Sequence, residues 1–152
     1  MKLEYRNPTT DDILTVARNM RAADVHEVAA AGGRTPLQAL VDSVQESDAS
    51  FVACLDGEPV CIFGCSQESE TRGVVWLLGT DAMVKNLRLF APESRRLLDE
   101  WADCFGTIYN YVDASNMVAL RWLTRMGFKP LLQLPYGPAK LPFFLMERDG
   151  DV

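Results

Sequence analysis

Apolar positions follow two rhythms along this chain, one recurring every three to four residues and one running continuously or alternating over strand-length stretches. The short stretch "KLEYRN" (2–7) reads as a first strand. A helical rhythm follows from Asp11 to about Ala23, capped by Thr9 or Thr10, with Asp11 and Asp12 at its positive end. In "HEVAAAGGRTPLQALVDSV", Gly32 and Gly33 break the helical run, Thr35 caps the next helix and Pro36 opens it. Leu37, Leu40, Val41 and Val44 give that helix an i, i+3, i+4, i+7 stripe. The period then changes in "SFVACLDGEPVCIFGCS", where two β-rich runs flank the hairpin signal Asp56-Gly57, and Pro59 can lengthen the loop or shift the register.

"GVVWLLGT" (73–80) is continuously apolar and predicts a central strand covered on both faces. Pro92 is expected to open the next helix, with Leu97, Leu98, Trp101, Ala102 and Phe105 inward and Gly106 as its stop. "TIYNYVDA" is a further strand. "FKPLLQL" and "PFFLMER" are two closing strands joined by the turn-rich "PYGPAK". Between them lies "SNMVALRWLTRMGF" (115–128), in which Ser115 and Asn116 can cap a helix and Gly127 can close it. Its inward stripe is Ala119, Trp122, Leu123 and Met126, and Phe128 begins an extended segment. The order is strand, two helices, three strands, helix, strand, helix, two strands. It predicts an α/β (α+β) domain, with helices on both faces of a twisted mixed sheet.

Composition narrows this picture. At 152 residues with 48% hydrophobic content, the chain can bury one core, so 1–152 is read as a single domain. The net charge of -6 argues against nucleic acid or an anionic membrane as partner, both of which reward basic clusters. No apolar run approaches the roughly 18 to 20 residues that span a bilayer, and "MKLEYRNPTTDD" lacks the apolar block of a secretory signal. A cytoplasmic location is expected. Cys54, Cys61, Cys65 and Cys104 lack paired metal or redox spacing and read as free thiols; a zinc site on the Cys54/Cys61 hairpin is the weaker alternative, so no metal is expected.

The segment 108–128 resembles the GNAT acyltransferase superfamily. That family's fourth helix follows N-x-x-A-x-x-[LF]-Y-x-x-x-G-F, and Asn116, Ala119, Trp122, Gly127 and Phe128 fall at matching places. The resemblance implies a mixed, mostly antiparallel sheet with a splay between the fourth and fifth strands. Leu123 holds the place of the family's tyrosine, which protonates the departing thiolate of coenzyme A, and leucine has no proton to give. The family's phosphate-binding signature, Q/R-x-x-G-x-G/A, is also absent: "TDAMVKNLRLFAPES" has no glycine between Gly79 and Gly106. With "MRAADVHEV" in its first helical region and "GFKP" after the fourth helix, the chain is similar to small GNAT-like proteins of tailed phages, encoded among head and internal-virion genes.

Several residues can still carry chemistry. Arg21, Asp24 and Glu27 share one helical face, and the resemblance implies that this region borders the acceptor site. Asp24 and Glu27 are the candidate catalytic carboxylates, holding a cationic amine or deprotonating it; the alternative is a solvated charge ladder. His26, the only imidazole, lacks a nucleophile motif and reads as structural. Lys85, Arg88, Arg95 and Arg96 surround the helix start where coenzyme phosphates would sit, or form a solvated basic face. Arg88, Arg95 and Asn116 are the candidate cofactor-binding residues.

Two functions follow. The departures favour a GNAT-fold phage component with a degenerate site, binding acetyl-CoA weakly or not at all. It would act in the host cytoplasm or the virion through contacts with a phage or host protein. The alternative is an acetyl-CoA-dependent N-acyltransferase acting on a small amine or a protein amino group.

Overall fold

The computed structural model describes residues 1–150. Strands β1 (Leu3–Arg6), β2 (Ala49–Leu55), β3 (Glu58–Ser69), β4 (Arg72–Gly79), β5 (Thr107–Asp113), β6 (Lys129–Tyr136) and β7 (Leu141–Asp149) form one sheet in the order β1-β2-β3-β4-β5-β7-β6. All neighbours are antiparallel except β4 and β5. That parallel pair is short. Arg72, Gly73 and Val74 pair with Thr107, Ile108 and Tyr109, and beyond this point the strands part. The splay implied by the resemblance is present.

Helices cover both faces. On one lie α1 (Thr10–Arg18), α2 (Ala22–Gly32) and α3 (Pro36–Glu46), burying Val16, Leu40, Val52, Ile62 and Leu78. On the other lie α4 (Asp81–Val84), α5 (Leu87–Phe105) and α6 (Met117–Arg125), over Cys61, Val75, Ile108, Val112 and Met146. The alternation of β4 follows from strand geometry: Val75 and Leu77 meet the α5 side, and Trp76 and Leu78 the opposite side.

Local chemistry sets most boundaries. Thr35 and Gln38 form a capping box at α3, and Asp56 and Gly57 both take positive φ in the β2–β3 turn, as a tight hairpin requires. The register shift of that hairpin falls at Ala53/Cys54, with Cys54 opposite Pro59. Gly127 has φ 95 and Phe128 is 1% exposed, as expected.

Four expectations need correction. The first helix does not run to Ala23 but ends at Arg18; Met20 bridges to Thr80 and a new helix starts at Ala22, so three helices precede β2. Pro92 does not open α5, which begins at Leu87 behind the short α4. Leu37 is 41% exposed, because α3 turns Ala39 and Leu40 inward instead. Trp122 is only half-buried, since α6 packs on the rim of the splay and leaves none of its residues fully enclosed.

Cys54, Cys61 and Cys65 are buried free thiols, and Cys104 is exposed. No group of three or more His, Cys, Asp or Glu among the described residues could hold a metal ion. No helix among them is long and apolar enough to cross a membrane.

Candidate functional site

The break between α1 and α2 docks on the end of β4. The Arg21 amide donates to the Gly79 carbonyl at 2.9 Å, which places the first turn of α2 across the opening of the splay. Arg21, Asp24 and Glu27 therefore do not form a solvated ladder. Arg21 is 6% exposed and Asp24 5%.

A polar network joins four elements at this point. Arg21 Nη1 donates to Asp24 Oδ1 at 3.0 Å, and Arg21 Nη2 donates to Asn116 Oδ1 at 2.8 Å. Asp24 Oδ2 accepts from the Gly79 amide at 2.9 Å. Asn116, the N-cap of α6, is 2% exposed, and its Nδ2 lies 3.5 Å from Asp24 Oδ1 and 3.4 Å from Glu27 Oε1. Glu27 Oε1 also accepts from the Asp113 amide at 2.7 Å. Buried charges persist only when paired in this way.

Glu27 differs from Asp24 in what remains available. Both oxygens of Asp24 are engaged, and burial raises its carboxyl above the usual range, against the opposing pull of Arg21. Burial pushes Glu27 further, to about 7, with the Asp24 and Asp113 carboxylates adding to the shift and the Asp113 amide opposing it. Its Oε2 makes no hydrogen bond among the described residues. The neighbouring Asp113 is held by the Ser115 amide and hydroxyl at 2.8 and 2.7 Å, and its Oδ2 lies 3.2 Å from Nε2 of the exposed His26.

Glu27 lines a cavity of about 120 Å³ that threads the splay. Arg21, Asp24, Asn110 and Asn116 form its polar end, and α5 and α6 contribute Leu87, Phe90, Ala119, Trp122 and Leu123 as apolar wall. Glu27 thus borders a largely apolar slot with one carboxylate oxygen fixed by the Asp113 amide and the other without a partner among the described residues.

The basic candidates lie elsewhere. Arg95 Nη2 donates to the Arg125 carbonyl at 3.2 Å, closing the end of α6, and Arg96 pairs with Glu93 and Glu100. Lys85 and Arg88 are exposed at the start of α5 and have no ion-pair partner among the described residues. The backbone there is largely committed: the amides of Val84, Lys85, Asn86 and Leu89 donate to carbonyls within the same turn. Lys85 and Arg88 are the basic side chains at this turn that could hold a phosphate. Asn116 faces Arg21, Asp24 and Glu27, not the start of α5.

Nothing in the sequence marks the Asp113 and Gly79 amides or Asn110 as parts of the site. A backbone donor carries no side-chain signal. Asp113 ends its strand just before the α6 cap, which is the one available hint.

No protein-family model matches the chain, and comparison with curated proteins finds no match. Solved structures match over the whole chain. Ard1 from Thermoplasma volcanium is 19% identical with a TM-score of 0.75, covering 100% of both chains. The putative acetyltransferase yncA from Salmonella typhimurium, with its cofactor acetyl-CoA, is 15% identical with a TM-score of 0.70, covering 100% of this chain and 96% of that one. AAC(6')-Ib in complex with ribostamycin and coenzyme A is 19% identical with a TM-score of 0.69, covering 98% and 94%.

Proposed function

We propose that this chain, which has the fold of the GNAT N-acetyltransferases, transfers an acyl group from an acyl-CoA to an amine, with Glu27 as general base. The observation that carries this reading is the Glu27 carboxyl, raised to about 7 and bordering the cavity in the β4–β5 splay. A base of this kind is half ionised near neutral pH and strong enough to take a proton from an attacking ammonium or amine nitrogen. Asn116 and the Asp113 amide fix the carboxyl through Oε1 and leave Oε2 for that proton. Arg21 and Asp24 are positioning residues: they tie α2 to Gly79 and so set the depth of Glu27. An acyl-CoA would supply the thioester, whose carbon–sulfur bond breaks as the amide bond forms. Leu123 donates no proton, so this position gives the leaving thiolate no acid assistance. Lys85 and Arg88 are the residues that would hold the phosphates.

A second reading keeps the fold and drops the chemistry: a phage virion, assembly or host-binding component with a degenerate site. It is favoured by the committed amides of Val84, Lys85, Asn86 and Leu89 and by Leu123 in the tyrosine's place. Calorimetric titration with acetyl-CoA, followed by an assay over a polyamine and peptide panel, separates the two. Saturable binding, weakened by Lys85→Ala and Arg88→Ala, with transfer abolished by Glu27→Gln, is expected of the enzyme. No saturable binding near 1 mM, which corresponds to only about 4 kcal/mol of affinity, would overturn the acyl-transfer reading.

A further inference from the structure

The cavity does not end at the polar cluster. It continues on the α4–α6 side of the sheet to Tyr5 on β1, past Cys61, Phe63 and Leu77 and under Leu98 and Trp101. The space is partly open to solvent, and a largely apolar cleft with a few polar groups is the usual form of a small-molecule site. A water occupies about 30 Å³ of liquid and an apolar cavity of about 150 Å³ holds benzene. The space of about 120 Å³ therefore exceeds what the methyl of an acetyl group fills.

One polar atom stands in this apolar region. The Tyr5 hydroxyl is buried without a hydrogen-bond partner, whereas buried tyrosine hydroxyls ordinarily find one. Burial raises the Tyr5 phenol, with Cys61 and Glu93 adding to the shift, so the hydroxyl stays neutral and able to donate. The apolar walls of the same space disfavour an anionic group. The complement is a neutral oxygen.

We propose that the deep cavity receives the acyl chain of the donor: about four carbons long, with a neutral hydroxyl or carbonyl oxygen at its far end bonded to Tyr5. This rests on the acyl-transfer reading above and names its donor class. It makes Tyr5, on β1, a specificity-determining residue outside the polar cluster that holds Glu27.

Trp101 and Trp122 line the cavity, while the Trp76 indole points to the opposite face of the sheet and donates to Ser47, so a fluorescence change on titration, absent from the Trp101→Phe, Trp122→Phe double variant, reports occupancy without a label. The protein is titrated with acetamide, butyramide and 4-hydroxybutyramide, and assayed with acetyl-, butyryl- and 4-hydroxybutyryl-CoA. The hydroxylated four-carbon amide is expected to saturate at about tenfold lower concentration than butyramide, one hydrogen bond's worth, and Tyr5→Phe to level the two. The same order is expected in kcat/KM, with acetyl-CoA last. Equal binding of acetamide, or a hydroxyl preference that survives Tyr5→Phe, would overturn the proposal. Amide binding without turnover of any thioester would sink the acyl-transfer reading and leave the pocket standing. Turnover of acetyl-CoA with no gain for longer chains would sink the pocket alone, and absence of both binding and turnover would sink both.

Discussion

Asp24 accepts a hydrogen bond from the Gly79 amide, two residues 55 positions apart that join the first turn of α2 to the last residue of β4. The same carboxylate pairs with Arg21, which is itself buried. Removing one partner of such a pair leaves the other charge uncompensated, at a cost of about 3 to 5 kcal/mol. Asp24→Asn is therefore expected to lower stability by an amount of that order in urea denaturation. A loss within about 0.5 kcal/mol, typical of surface positions, would show that the pair is solvated.

The pH dependence of Glu27 has a definite sign. Its carboxyl titrates at about 7 in the folded chain, against an ordinary 4.5 when unfolded. Between these values the native state binds more protons than the unfolded state, so stability is highest below pH 4.5 from this group and falls as pH rises to 7. With allowance for partial exposure the loss is on the order of 2 to 3 kcal/mol. Glu27→Gln should flatten this decline in Tm measured across pH. Acyl transfer should run the other way, kcat/KM rising through about pH 7 as the base ionises.

Trp122 and Phe128 separate rim from core. Phe128 is 1% exposed, and Phe128→Ala should cost about 3 to 5 kcal/mol. Trp122 is half-buried on the cavity wall, so Trp122→Ala should cost less, about 1 to 3 kcal/mol, and enlarge the slot. Equal losses in parallel thermal melts would show that Trp122 is core after all.

What was legible in the sequence divides along physical lines. Thr35, Pro36, Asp56-Gly57 and Gly127 act through their own few neighbours, and each marks its boundary where the chemistry dictates. The 115–128 stretch carried the fold because its spacing reflects packing against a splayed sheet. The break at residues 19–21 was hidden: nothing in "ARNMRAAD" forbids a helix, and only pairing of Met20 with Thr80 interrupts it. Arg21 and Asp24 look like a surface pair at i, i+3 until Asn116, 92 residues beyond Asp24, closes over them. The cavity beneath α5 has no sequence signature, because a void is a property of several elements at once.

The β6–β7 turn supplies the last prediction. Gly137 has φ +74, and a Cβ there would overlap the Ala30 carbonyl oxygen and lie 3.2 Å from the Ala31 Cα, both in the final part of α2. Tyr136 beside it stacks on Tyr111 at 4.6 Å and packs at a tilt against Phe143 at 4.9 Å, so the turn is held in place and has little room to retreat. Gly137→Ala combines backbone strain with a steric overlap against a helix, and about 2 to 4 kcal/mol of destabilisation is expected. Gly33 provides the control: its φ is +67, with nothing within 4 Å of an added Cβ, so Gly33→Ala should cost only about 1 kcal/mol. Because Ala30 lies one turn beyond Glu27 on the same helix, Gly137→Ala should also move the pH midpoint of activity, and Gly33→Ala should leave it in place. Equal stabilities for the two variants, measured by urea denaturation, would show that the turn does not bear on α2.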